Sequence, residues 1–247
     1  MKTLSALSAR RVLIGGLCFG LQMGICLAKD TVQEEFNRTL PLTSNGQVRL
    51  DNVNGKVHFT AWDRPEVQIH AIKRASNRED LEALKIEIDA KSDQIRIHTK
   101  YPKWKSGNWR KSNSASVDYE IKVPTKARLA EVETVNGNLE IEGLRGPIQA
   151  STTNGRLIGK GLAADAKLES VNGAAEIAFD QMEDVKSVTI QTVNGRVELR
   201  LPIKADADIS AKTLNGSISA DSGLTIKKNW PIGSEMHGKL GSGRTRI

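Results

Sequence analysis

The residues best equipped for binding chemistry cluster between Tyr101 and Lys111. Trp104 and Trp109 offer flat faces that stack on sugar rings. Lys103, Lys105, Arg110 and Lys111 supply cations that pair with carboxylate or phosphate. Together with Tyr101 they suit an anionic glycan or a lipid headgroup. The stretch from Tyr101 to Ser116 has no hydrophobic periodicity and reads as a loop, where binding residues concentrate. The plainer alternative is a loop whose tryptophans fold back onto one end of the fold.

Other chemistry is harder to assemble. His58, His70, His98 and His237 lie at polar positions, and no pair has a metal-ligand spacing, so no metal and no cofactor are expected. Many Asp and Glu residues fall on strand exteriors. Stacking could bring two of them together as a hydrolytic carboxylate pair, but the sequence selects none, and no catalytic residue is assigned. The chain has two cysteines, Cys18 and Cys26. Both lie in a leader that reads as removed, so the mature chain has no thiolate, disulfide or cysteine–zinc site.

That leader is residues 1–28. Lys2, Arg10 and Arg11 precede an apolar run from Val12 to Leu27, and Ala28 closes a small-residue exit. Charge, length and exit make it a secretory signal peptide. The apolar run is short for a membrane-spanning helix, so no transmembrane segment is expected after cleavage. Of the formal charge of +7, three belong to the leader, which leaves +4. A charge that small, with mixed signs along most strands, argues against a nucleic-acid partner.

The element that must position everything else is a repeat. Thr134-Val-Asn136-Gly137 returns as Thr153-Asn154-Gly155, Val171-Asn172-Gly173, Thr192-Val-Asn194-Gly195 and Thr213-Leu-Asn215-Gly216. An early copy is Val53-Asn54-Gly55. The later asparagines are 18 to 22 residues apart, a period typical of repeat architectures. Asn-Gly tolerates positive φ, so each copy is expected to turn sharply there, with Gly173 left-handed. Around each corner the residues alternate. Val132, Thr134, Leu139 and Ile141 share one face, and Glu131, Glu133, Asn138, Glu140 and Glu142 the other. Val188, Ile190, Thr192, Val197, Leu199 and Leu201 face inward in the fourth copy, and Ile209, Ala211, Thr213 and Ile218 in the fifth. One copy cannot bury its dry face alone, whereas stacked copies can.

Two architectures fit this pattern. In a β-solenoid, like a parallel β-helix, each strand pairs in parallel with the next copy. In a meander, each Asn-Gly closes an antiparallel hairpin. The regular period and the recurrence of Thr and Asn favour the solenoid. Upstream, Gln47–Leu50 and Lys56–Trp62 alternate as strands, and Glu66–Ile72 resumes after Pro65. Ser76-Asn-Arg-Glu79 reads as a capping box opening one short helix with Leu81 and Leu84. Ile86 and Ile88, then Ile95 and Ile97, alternate around Lys91–Gln94 as a hairpin. Val117–Val123 is a strand ending at Pro124.

Arg49–Val67 (RLDNVNGKVHFTAWDRPEV), Val117–Leu129 (VDYEIKVPTKARL), Val132–Gly146 (VETVNGNLEIEGLRG) and Gly238–Ile247 (GKLGSGRTRI) resemble the "putative adhesin" domain family of bacterial envelope proteins, a domain of unknown function. The likeness covers nearly the whole mature chain. It implies an exported, non-enzymatic β-solenoid in the periplasm or at the cell surface. The expected division is a signal peptide at 1–28 and one adhesin-like domain at 29–247. Within it lie irregular coils at 29–128 with the loop 101–116, regular repeats at 129–226 and a cap at 227–247. Expected partners are an envelope glycan, an anionic lipid headgroup or another envelope protein. The alternative function is a β-helical glycan-active enzyme of the lyase or hydrolase type.

Overall fold

Alternating sequences pair into sheets because one face of each strand must leave water. The computed structural model describes residues 31–101, 115–202, 208–220, 226–228 and 233–239. The expected signal peptide, Lys103 to Lys111 and the chain's last eight residues lie outside these. The first half contains β1 (Val32–Pro41), β2 (Gln47–Asp51), β3 (Val57–Trp62), β4 (Glu66–Ala75), the helix α1 (Arg78–Ala83), β5 (Lys85–Ala90), β6 (Gln94–Lys100) and β7 (Ser116–Pro124). The repeats supply β8 (Arg128–Asn136), β9 (Leu139–Glu142), β10 (Ile148–Asn154), β11 (Leu157–Leu162), β12 (Ala166–Asn172) and β13 (Ala175–Phe179). They continue with β14 (Ser187–Asn194), β15 (Val197–Arg200), β16 (Asp208–Asn215) and β17 (Ile218–Ala220), followed by β18 (Ile226–Lys228) and β19 (Ser234–Lys239).

The chain crosses between two sheets at every Asn-Gly. One sheet has nine strands, ordered β1-β4-β7-β3-β9-β11-β13-β15-β17. The other has ten, ordered β18-β19-β16-β14-β12-β10-β8-β2-β6-β5. Strands flanking an Asn-Gly do not pair with each other as a hairpin would require. They pair in parallel with the equivalent strands of the next copies, β8 with β10, β10 with β12, β12 with β14 and β14 with β16. The inward side chains of both sheets meet in one hydrophobic core, including Val132, Leu139, Ile141, Val188, Ile190 and Leu199. Leu201, expected inside, lies just past β15 and is only half-buried.

The corners stack in register. Asn136 donates from Nδ2 to Asn54 Oδ1 at 2.8 Å, and Asn154, Asn172, Asn194 and Asn215 each repeat the bond to the copy before at 2.8–2.9 Å. Two residues before each of these asparagines runs a second ladder. Thr152, Ser170, Thr192 and Thr213 are buried and donate to the carbonyls of Gly137, Gly155, Gly173 and Gly195 at 3.0–3.4 Å.

The glycines serve a different purpose from the one expected. Gly173 is not left-handed, nor are Gly137, Gly155, Gly195 and Gly216; of the corner glycines only Gly55 is, at φ 120°. What excludes a side chain is the neighbouring copy. A Cβ on Gly173 would stand 1.9 Å from the Gly155 carbonyl oxygen, and the equivalent approach is 1.8–2.1 Å at Gly137, Gly155, Gly195 and Gly216. Glycine is there for close backbone approach, the other reason strands carry it.

The helix corrects a second expectation. Its N-cap is Asn77, not Ser76: Asn77 Oδ1 accepts from the Asp80 backbone N–H at 2.8 Å, and Asn77 Nδ2 donates to Asp80 Oδ2 at 2.7 Å. Leu81 and Leu84 are buried in the core. The hairpin of β5 and β6 forms as the alternation predicts. At the far end, β19 pairs antiparallel with β16, and β18 pairs antiparallel with β19 to form the sheet's edge.

Candidate functional site

Burying Thr or Ser two positions before each corner asparagine fixes what the next residue does. In a strand, neighbours point to opposite faces. Because Thr134, Ser170, Thr192 and Thr213 point in, Val135, Val171, Val193 and Leu214 must point out. Among the described residues these four are the exposed large hydrophobics, at 38%, 40%, 38% and 47% exposure. They lie in a single row across β8, β12, β14 and β16, with Thr153 filling the place on β10. Beside it, two residues back along each strand, runs a polar row: Glu133, Ser151, Glu169, Gln191 and Lys212. On β10 to β16 the two rows line an open groove of about 530 Å³. Scattered exposed hydrophobics need no explanation, but a contiguous row marks a surface that meets something.

The opposite, nine-stranded sheet gathers charged residues. His70, Glu120, His58 and Glu140 fall opposite one another on β4, β7, β3 and β9. His70 Nδ1 is 3.4 Å from Glu120 Oε2, and His58 Nε2 is 3.4 Å from Glu142 Oε2. Ligand atoms of His58, Glu140 and Glu142 lie within 4.8 Å of one another, a set able to hold a metal ion. A cation is already there: the Lys160 ammonium bonds Glu140 and lies 3.0 Å from Glu142 Oε1. Its hydrogen bond holds the Glu142 carboxyl below the usual range, and the two carboxylates raise Lys160. A general acid needs the opposite shift, upward. The linear spacing of these residues hides the cluster, because its members come from three strands joined only by register.

Of the loop residues nominated from the sequence, only Tyr101 is described, and it is turned inward. Its hydroxyl accepts from the Asn54 backbone N–H at 2.8 Å and lies 2.9 Å from both Asn52 Oδ1 and the Asn54 carbonyl. It clasps the first corner. Burial pushes its pKa up to about 12. Asn52 is buried where later copies have Thr or Ser, and donates to the Val117 carbonyl at 3.2 Å. Where this clasp meets the regular ladder, the buried Thr134 Oγ1 has no hydrogen-bond partner among the described residues. Lys103, Trp104, Lys105, Trp109, Arg110 and Lys111 lie outside the described residues. Trp62, which sequence reasoning passed over, is half-buried at the end of β3, with the Arg64 guanidinium 5.0 Å and the Lys122 ammonium 5.7 Å from its ring.

No protein-family model matches the chain, and no curated protein does. Solved structures similar to it include a "putative cell adhesion protein" from Clostridium sporogenes, 13% identical, covering 76% of this chain and 99% of that one with a TM-score of 0.47. A "putative adhesin" from Bacteroides fragilis is 13% identical over 76% of this chain and 97% of its own, with a TM-score of 0.34. A "putative lipid binding protein" from Parabacteroides distasonis is 13% identical over 75% and 95%, with a TM-score of 0.26. At these scores neither a shared ligand nor a shared activity follows for this chain.

Proposed function

We propose that the chain is an exported, non-enzymatic β-solenoid that serves as a binding or scaffold module of the bacterial cell envelope. The observation that carries this is the row of Val135, Val171, Val193 and Leu214, the exposed large hydrophobics among the described residues. The repeats hold that row rigid through the asparagine and threonine ladders behind it. The carboxylates most like a catalytic pair, Glu140 and Glu142, are both tied to Lys160, and its hydrogen bond holds Glu142 below the usual range, the wrong direction for a general acid. Trp104 and Trp109, with the cations around them, are the proposed contacts for an anionic envelope glycan or lipid headgroup, and another envelope protein is the partner the exposed row would suit.

The test uses residues 29–247 with anionic cell-wall glycan on beads and with anionic lipid vesicles. Trp104→Ala with Trp109→Ala should lose binding at least tenfold while melting within a few degrees of the wild type. Retention of full binding by the double variant overturns the loop as the ligand contact. Release of new reducing ends from the glycan, abolished by Glu140→Gln or Glu142→Gln, would establish the enzymatic alternative instead.

A further inference from the structure

The row of exposed hydrophobics is arranged to meet a copy of itself. We infer that the face formed by β8, β10, β12, β14 and β16 is a two-fold interface between two copies of this chain. This rests on the reading of the row as a binding surface and names what occupies it.

The inference comes from register. Take a two-fold axis parallel to the strands and lying over β12. Rotation about it reverses the order of the strands but keeps every row facing the same row. Val171 then faces Val171 of the second copy, Val135 faces Leu214, and Thr153 faces Val193. Apolar meets apolar at three of the five positions, and Thr153 faces Val193 at the other two, so the row is largely self-complementary, as a two-fold interface requires. In the polar row, Glu133 faces Lys212 of the second copy, and Ser151 faces Gln191. Glu133 and Lys212 are both exposed, and neither has an ion pair among the described residues. Glu169 lies on the axis and would face itself, but each Glu169 is already neutralised by its own Lys167, 3.0 Å away. Among axes placed over a strand, only the one over β12 puts Glu133 on Lys212. Sheets stacked with their strands nearly aligned are an ordinary packing mode.

Within one molecule Lys212 stands opposite Glu235 on β19, whereas Glu133, between Asp51 and Ser151, has no cation opposite it. Glu133 and Lys212 are four strand spacings apart, about 19 Å at about 4.8 Å each. Solvent screens a pair at that distance. The patch spans five strands and two rows, smaller than the roughly 800 Å² per partner of a stable complex. A patch of this size suits a weak, transient dimer.

Sedimentation equilibrium of residues 29–247 up to about 1 mM tests this. The expected result is a reversible monomer–dimer equilibrium. Leu214→Asp and Val171→Asp, both at exposed positions, should weaken association at least tenfold without changing the far-ultraviolet circular dichroism or the melting temperature by more than a few degrees. Glu133→Lys and Lys212→Glu should each weaken it, and the double reversal should restore it to within about threefold, because each new pair forms across the two-fold. A chain that stays monomeric throughout overturns the inference. If that monomer still binds an envelope component and Leu214→Asp abolishes it, the row remains a binding surface and only the second copy is excluded. Dimerisation untouched by Leu214→Asp, or a double reversal that does not restore it, also overturns the arrangement.

Discussion

Gly173 shows how a single residue can be required for a reason other than its backbone freedom. Its φ lies outside the left-handed region, yet a methyl group would run into the Gly155 carbonyl. Gly173→Ala should therefore destabilise by about 1–3 kcal/mol, the scale of overpacking, and a denaturant titration that matches the wild type would contradict the stacked geometry. Tyr101 makes a second test. Removing its hydroxyl in Tyr101→Phe leaves polar groups of Asn52 and Asn54 without their partner, a loss of roughly 1–3 kcal/mol. Its pKa is raised from 10.0 to about 12 by burial. The stabilisation is thus complete below pH 10 and lost as pH climbs through 12, because the folded state resists ionisation. Wild-type stability should fall across that window, and less steeply in Tyr101→Phe. The need for glycine at the corner was legible from the recurrence of Asn-Gly. Its cause was not, because a neighbour 18 residues away is invisible to a local rule about turns.

At the level of elements, alternation was the most dependable guide. Val188, Ile190, Thr192, Val197 and Leu199 are all buried as their period demands. The same alternation contained the exposed row: with Thr134 inside, Val135 has to be outside. A valine beside a threonine is easily read the other way, since its hydrophobicity suggests the core. In the later copies the threonine wins because its hydroxyl finds the carbonyl of the previous copy's corner glycine, as Thr152 and Thr213 show; Thr134 takes the same place without that bond. The helix boundary moved by one residue because Asn77 and Ser76 are both good caps, and the bond to Asp80 decides between them. Asn77→Ala should cost about 1 kcal/mol, while Ser76→Ala should leave the unfolding midpoint nearly unchanged. Equal losses at both positions would contradict the observed cap. The strand order of the first half was not legible. β3 lies between β7 and β9 only because β4, α1, β5 and β6 are inserted between copies that pair with each other.

Across the whole molecule, the pairing distances along the chain are uneven. From Asn136 onward each copy finds its neighbour 18 to 22 residues away, but Asn136 meets Asn54 across 82 residues. Closing the longer span costs about two further doublings of loop length, or about 1.2 kcal/mol of chain entropy. Contacts between distant segments also form slowly. The ladder therefore has a direction in time as well as in space. The copies from β10 to β15 can zip together early, and the first copy must wait until β4 to β7 have been folded out of the way. In pulsed hydrogen-exchange labelling during refolding, the amides of Gly155 and Gly173 should gain protection before that of Gly55. A chain in which Gly55 is protected first would have nucleated at its insertion rather than in its repeats.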